Sequence, residues 1–144
     1  YLDLQNERFT QKILYDVQIP VGYNDIKIPK FILQPLAENS IKYGKKTSAP
    51  LKITVSLENI NSECVLISFT DNGKGCDRAT VKSLNSQFSS GRYIYKSDTE
   101  TSSTIGLKNI NERIRLIYGE DYHITVNSEP DSFFEVIFRF PIIR

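Results

Sequence analysis

A carboxylate, an amide, an ammonium and a phenol stand close together in Glu38-Asn39-Ser40-Ile41-Lys42-Tyr43. On a helix, at about 100° per residue, Lys42 and Tyr43 lie within roughly 60° of Asn39, so all three can face one ligand. Asn39 can give a hard cation a carbonyl oxygen without adding charge. Glu38 can accept a proton, or orient a water or another nucleophile. Downstream, Asp71-Asn72-Gly73-Lys74-Gly75 sets an acid and two glycines at the end of an apolar run, and the glycines permit close approach that side chains would block. Ile105-Gly106-Leu107-Lys108-Asn109 then places a glycine where another helical pattern starts, a place suited to phosphate because backbone N–H groups and the helix dipole favour an anion there. Together the three segments read as one nucleotide site.

In this order the segments resemble the N box, G1 box and G2 box of the catalytic and ATP-binding domain of sensor histidine kinases, in the gyrase/histidine-kinase ATPase (GHKL) superfamily. The run from Ile28 to Asn39, with Leu107-Lys108-Asn109-Ile110-Asn111-Glu112-Arg113, is similar to the LytS/YesM branch in particular. The resemblance covers nearly the whole chain. It implies that Asn39 holds Mg²⁺, that Lys42 approaches phosphate, that Tyr43 packs near the nucleoside, and that Asp71 accepts a hydrogen bond from the adenine amino group. Gly73, Gly75, Thr104, Gly106 and Leu107 complete the implied nucleotide site, with Glu38 and Asn39 as the catalytic pair and ATP and Mg²⁺ as cofactors.

Two positions depart from the family pattern. Tyr43 stands where the LytS/YesM branch often has histidine, and Thr104 replaces the first glycine of Gly-X-Gly-Leu. Each motif also has a plainer explanation. Glu38 can pair with Lys42 at i,i+4 spacing, Asp-Asn-Gly is a common turn, and Arg92 and Lys96 can be solvated loop charges as readily as phosphate ligands.

The elements that must position these residues are legible from periodicity. Residues 1–10 are expected to be the end of an upstream linker or helix, and 11–144 one ATP-binding domain. Ile13, Tyr15, Val17 and Ile19 alternate as a strand ending at Pro20. Pro29 suits a helix opening; Leu33, Leu36, Ala37 and Ile41 follow at helical spacing, with Pro35 as an awkward interior residue and Gly44 as a stop. Leu51 to Leu57 and Cys64 to Phe69 read as strands joined by a turn at 58–63, the second delivering Asp71. A short helix is expected through Val81 and Leu84, then an irregular lid at about 85–104. A helix capped by Ser103 or Thr104 and ended by Gly119 precedes two closing strands, with Asp131 near their turn. The expected class is α+β: a two-layer α/β sandwich, a mixed sheet with helices over one face, which the resemblance makes a Bergerat-type ATP-binding fold.

Composition narrows the remaining functions. With 18 basic and 17 acidic residues there is no electrostatic footprint for nucleic acid or an anionic membrane. No apolar run approaches the roughly 18 residues of a membrane-crossing helix, and no start resembles a signal peptide. Cys64 and Cys76 make neither a disulfide framework nor a metal pattern, and are expected to be reduced and structural. The only histidine, His123, sits in an alternating strand pattern and is expected to be structural. In the resembling family the accepting histidine lies on an upstream dimerisation domain.

The chain, opening at Tyr1 and lacking methionine, is expected to be a segment of something longer. The resemblance implies a dimeric membrane sensor with this domain on its cytoplasmic side, phosphorylating a histidine whose phosphoryl group passes to a response regulator receiver domain. The alternatives are a related ATPase or serine kinase, and a non-catalytic interaction module that keeps the ATPase fold.

Overall fold

Strand β1 (Leu14–Gln18) opens the computed structural model, which describes residues 13–28, 32–43, 50–94 and 102–142. Helix α1 (Leu33–Tyr43), strands β2 (Lys52–Asn59) and β3 (Cys64–Asp71), helices α2 (Arg78–Ser90) and α3 (Ser102–Tyr118), and strands β4 (Ile124–Glu129) and β5 (Phe133–Pro141) follow. The strands form one sheet in the order β1-β2-β3-β5-β4, with β1 parallel to β2 and every other pair antiparallel.

Register explains the two layers. Ile67 lies opposite Leu57 and Phe138, and Phe69 opposite Val55 and Val136, so one parity of every central strand shares a face. That face is buried against Leu36, Ala37 and Ile41 of α1, Leu84 and Phe88 of α2, and Leu107, Ile110 and Ile114 of α3. Each large apolar side chain so buried contributes about 1.5–3 kcal/mol. Phe138 packs edge-on to Phe140 with ring centres 4.8 Å apart, and Tyr118 covers Phe140 at 5.2 Å. The opposite parity carries polar groups: Ser68 and Thr70 hydroxyls both donate to the Glu135 carboxylate, at 2.8 and 3.1 Å. The result is the expected α+β class, a mixed sheet with helices over one face.

Several boundaries differ from the sequence expectation, each for a physical reason. Pro35 is the third residue of α1, not an interior one, and a first-turn N–H has no intrahelical partner to lose. Helix α2 runs six residues beyond Leu84, so residues 85–90 of the expected lid are helical. Asp77 caps its start by accepting from Thr80 N at 2.7 Å, and Gly91 ends it in the left-handed region at φ 69°. Helix α3 begins at Ser102, before either expected cap. Strand β1 is present, but Tyr15, Val17 and Ile19 are exposed, because the helices pack over β3 and β4. The β2–β3 turn closes as expected on Asn61, whose side-chain oxygen accepts from Glu63 N and Cys64 N. Residues 1–10, Pro29, Gly44, Lys96 and the lid segment 95–101 lie outside the described residues.

Candidate nucleotide-binding site

Helix α1 buries Leu36, Ala37, Ser40 and Ile41, which share one face by their i, i+1, i+4, i+5 spacing. That leaves Glu38 and Asn39 half-buried at the rim and Lys42 exposed. Glu38 Oε1 accepts a hydrogen bond from Gln34 Nε2 at 3.2 Å, one turn back, in place of the ion pair with Lys42. The Tyr43 side chain lies outside what the structure describes.

Asn39 meets α3 at Gly106. A Cβ built on Gly106 would lie 3.3 Å from the Asn39 amide nitrogen and 3.7 Å from its oxygen, so the absent side chain makes room for this carboxamide. Gly106 is the fifth residue of α3. The N–H groups of residues 102–104 therefore have no intrahelical partner, and the positive end of the helix dipole is there too. Thr104 sits within that first turn, in a helical conformation that needs no glycine. Leu107 is buried in the core.

Strand β3 delivers Asp71 to the same region. Its carboxylate is 4% exposed and accepts from Ser40 Oγ at 2.6 Å and from Gly73 N at 2.9 Å. Asn72 next to it ties the strand end to β2, accepting from Lys52 N and donating to Pro50 O. The glycines have separate duties. Gly73 turns the chain back on Asp71, whereas Gly75 (φ 63°) lies so close to the β4–β5 turn that a Cβ would sit 2.3 Å from Glu129 O and 2.7 Å from Phe133 O. Cys76 N donates to Ser128 Oγ, which donates to Phe133 O, completing this seam. Gly75 thus has an intramolecular reason to be glycine.

A polar knot behind the site was not anticipated from sequence. Asn111, fully buried, donates to Phe88 O and Tyr93 Oη and accepts from Ile124 N, fastening α3 to the end of α2, to the segment after it and to β4. Tyr93 Oη donates to Glu112 at 2.6 Å, Lys108 Nζ donates to Ile94 O at 2.5 Å, and Gln87 Oε1 accepts from Ile94 N. Burial first, then the bond to Glu112, pushes the Tyr93 phenol up to about 12, so it remains a donor at neutral pH. Ser40 was missed as well. The available signal was alike for both: Ser40 and Asn111 are polar residues inside the apolar faces of their helices, each four residues after a core leucine.

The remaining candidates take no part in the contacts just described. His123 is half-buried beside β4, its Nδ1 3.1 Å from Ile124 O. Cys64 and Cys76 are free thiols, and burial pushes Cys76 up, away from thiolate character. Arg92 is exposed. Among the described residues no group of three His, Cys, Asp or Glu side chains could hold a metal ion, and no helix is long and apolar enough to cross a membrane.

Known proteins resemble this chain in sequence and in fold. Residues 24–144 match the family described as histidine kinase-, DNA gyrase B-, and HSP90-like ATPase. The chain is 32% identical over 142 residues to the sensor histidine kinase YesM of Bacillus subtilis, covering 98% of this chain and 22% of YesM. It is 28% identical over 143 residues to the sensor protein LytS of the same organism, covering 99% of this chain and 23% of LytS. It therefore spans about a fifth of these relatives. Among solved structures it superposes on the catalytic domain of histidine kinase ThkA with a TM-score of 0.62 at 16% identity, covering 90% of this chain and 80% of that one. The mycobacterial sensor histidine kinase MprB matches with a TM-score of 0.60 at 12% identity, covering 98% of this chain and 88% of that one, a likeness of fold. By sequence and by fold, the chain belongs to the histidine kinase-, DNA gyrase B- and HSP90-like ATPase family, as a sensor-histidine-kinase catalytic domain of the YesM and LytS kind.

Proposed function

We propose that the chain binds Mg–ATP between α1, the first turn of α3 and the loop after β3, and presents the γ-phosphoryl group to a histidine on a separate domain. One observation carries the reading: two adjacent residues of α1 reach both other motifs, Asn39 lying against Gly106 and Ser40 bonded to Asp71. Asp71 then takes the adenine amino group, Lys42 and Tyr43 flank the phosphates and nucleoside, and the free N–H groups opening α3 face phosphate. Gly73, Gly75, Thr104, Gly106 and Leu107 shape the backbone around the nucleotide.

The donor set fits Mg²⁺ in one respect. Asn39 supplies a single neutral oxygen, and Mg²⁺ keeps most of its water and takes few protein ligands beside the phosphates of its substrate. When bound, the ion neutralises phosphate charge. The chain's own residues orient the nucleotide, which is most of what phosphoryl transfer requires. In the transfer, the bond from the γ-phosphorus to the bridging oxygen breaks, a phosphorus–nitrogen bond to the imidazole forms, and ADP leaves. Glu38, at the rim beside Asn39, is placed to orient the imidazole or take its proton.

In the whole protein, the acceptor would lie on an upstream dimerisation domain of a homodimeric membrane sensor, with this domain on the cytoplasmic side and a response regulator receiver domain taking the phosphoryl group. The test is to incubate the chain with γ-labelled ATP and that histidine-bearing domain. Acid-labile, alkali-stable label on the partner is expected. Alkali-labile label would instead indicate a serine kinase, release of phosphate without transfer an ATPase, and no reaction a non-catalytic interaction module.

A further inference from the structure

We propose that Ser40 is a positioning residue that sets base selectivity through Asp71; the inference rests on the ATP reading above and deepens it. A carboxylate oxygen offers about two lone-pair sites. Ser40 Oγ–H occupies one on Oδ2 at 2.6 Å, and the Gly73 N–H occupies one on Oδ1 at 2.9 Å. Both side chains are sealed from water, Ser40 at 5% and Asp71 at 4% exposure.

The chemistry that follows is directional. With protein donors on both oxygens, the carboxylate meets a ligand as an acceptor. It favours a base that presents an amino N–H and disfavours one that presents a carbonyl in the same place. Adenine and hypoxanthine differ by that exchange at the 6-position. The bond also fixes distance, because Ser40 adjoins Asn39 on α1. The base-selecting carboxylate on β3 and the amide facing α3 are therefore held in register through one turn of one helix. Without the hydroxyl, Oδ2 loses a donor in a dry setting, and the carboxylate is held less firmly in the orientation that meets the base.

The experiment is calorimetric titration of the chain with adenosine and inosine 5′-triphosphates at fixed Mg²⁺, for the wild type, Ser40→Ala and Ser40→Thr, with thermal unfolding of each. The wild type binds ATP more tightly than ITP. In Ser40→Ala that preference falls by about tenfold, the worth of one charge-assisted hydrogen bond, chiefly through weaker ATP binding. Ser40→Thr keeps the donor and the preference. If Ser40→Ala weakens both nucleotides equally, or neither, Ser40 is packing alone and the inference is overturned. A folded wild type that binds neither nucleotide would overturn the ATP reading itself, and this inference with it.

Discussion

Gly75 and Asp71 stand four residues apart and answer to different physics. Asp71 is held by donors from α1 and from its own turn. Gly75 is held by backbone it must nearly touch, the carbonyls of Glu129 and Phe133. Gly75→Ala therefore adds a left-handed backbone penalty of about 1–3 kcal/mol to a steric clash that neither carbonyl can relieve by rotating a side chain. Denaturant unfolding should show at least that loss. An unchanged midpoint would mean that the loop moves freely off the β4–β5 turn. At this scale, the candidate site was legible in the sequence where a motif is contiguous, so that Glu38, Asn39, Asp71 and Gly106 stood out by type and spacing. Ser40 and the packing duty of Gly75 were not, because each depends on a contact more than 30 residues away in the chain.

The order of strands and helices could be read from periodicity because the core is built from apolar residues at regular spacing. Helix α2 is the instructive exception. Its second half is mostly polar, yet Asn85 uses its side chain as a strand edge would, donating to Val126 O at 2.8 Å and accepting from Val126 N at 2.7 Å, while Gln87 receives Ile94 N. Polar residues with tertiary duties look like loop until their partners are known. Asn111 shows the same economy in α3. Asn111→Ala strands Phe88 O and Ile124 N in the interior and should cost about 2–5 kcal/mol in denaturant unfolding; a loss below about 1 kcal/mol would show that water or a neighbour replaces it. Capping at α2 gives a pH signature. Hydrogen bonds from the Thr80 hydroxyl and N–H hold the Asp77 carboxyl below its ordinary value of 3.8. The unfolded chain then binds the proton more readily, so the cap's contribution is complete above that value and is lost as pH falls through the lower folded value. Asp77→Ala should lower Tm at neutral pH, with the gap from wild type closing in acid. A gap that is constant with pH would remove the charge from the account.

At the scale of the whole molecule, the sheet places its chemistry at one end. Strand β3 ends on the buried Asp71, α1 brings Asn39 against Gly106, and the knot around Asn111 fixes α3 to α2 and β4 behind them. Three motifs separated along the chain thus meet around the adjacent residues Asn39 and Ser40. The proposal that this site takes Mg–ATP by its adenine is open to direct measurement. It is tested most directly by calorimetric titration with a non-hydrolysable ATP analogue, with and without Mg²⁺, against the matching GTP analogue and in Asp71→Asn. Binding of the adenine nucleotide is expected to depend on Mg²⁺, to exceed that of the guanine nucleotide, and to fall by about tenfold or more in Asp71→Asn. Equal binding of both bases, or no change in Asp71→Asn, would contradict it.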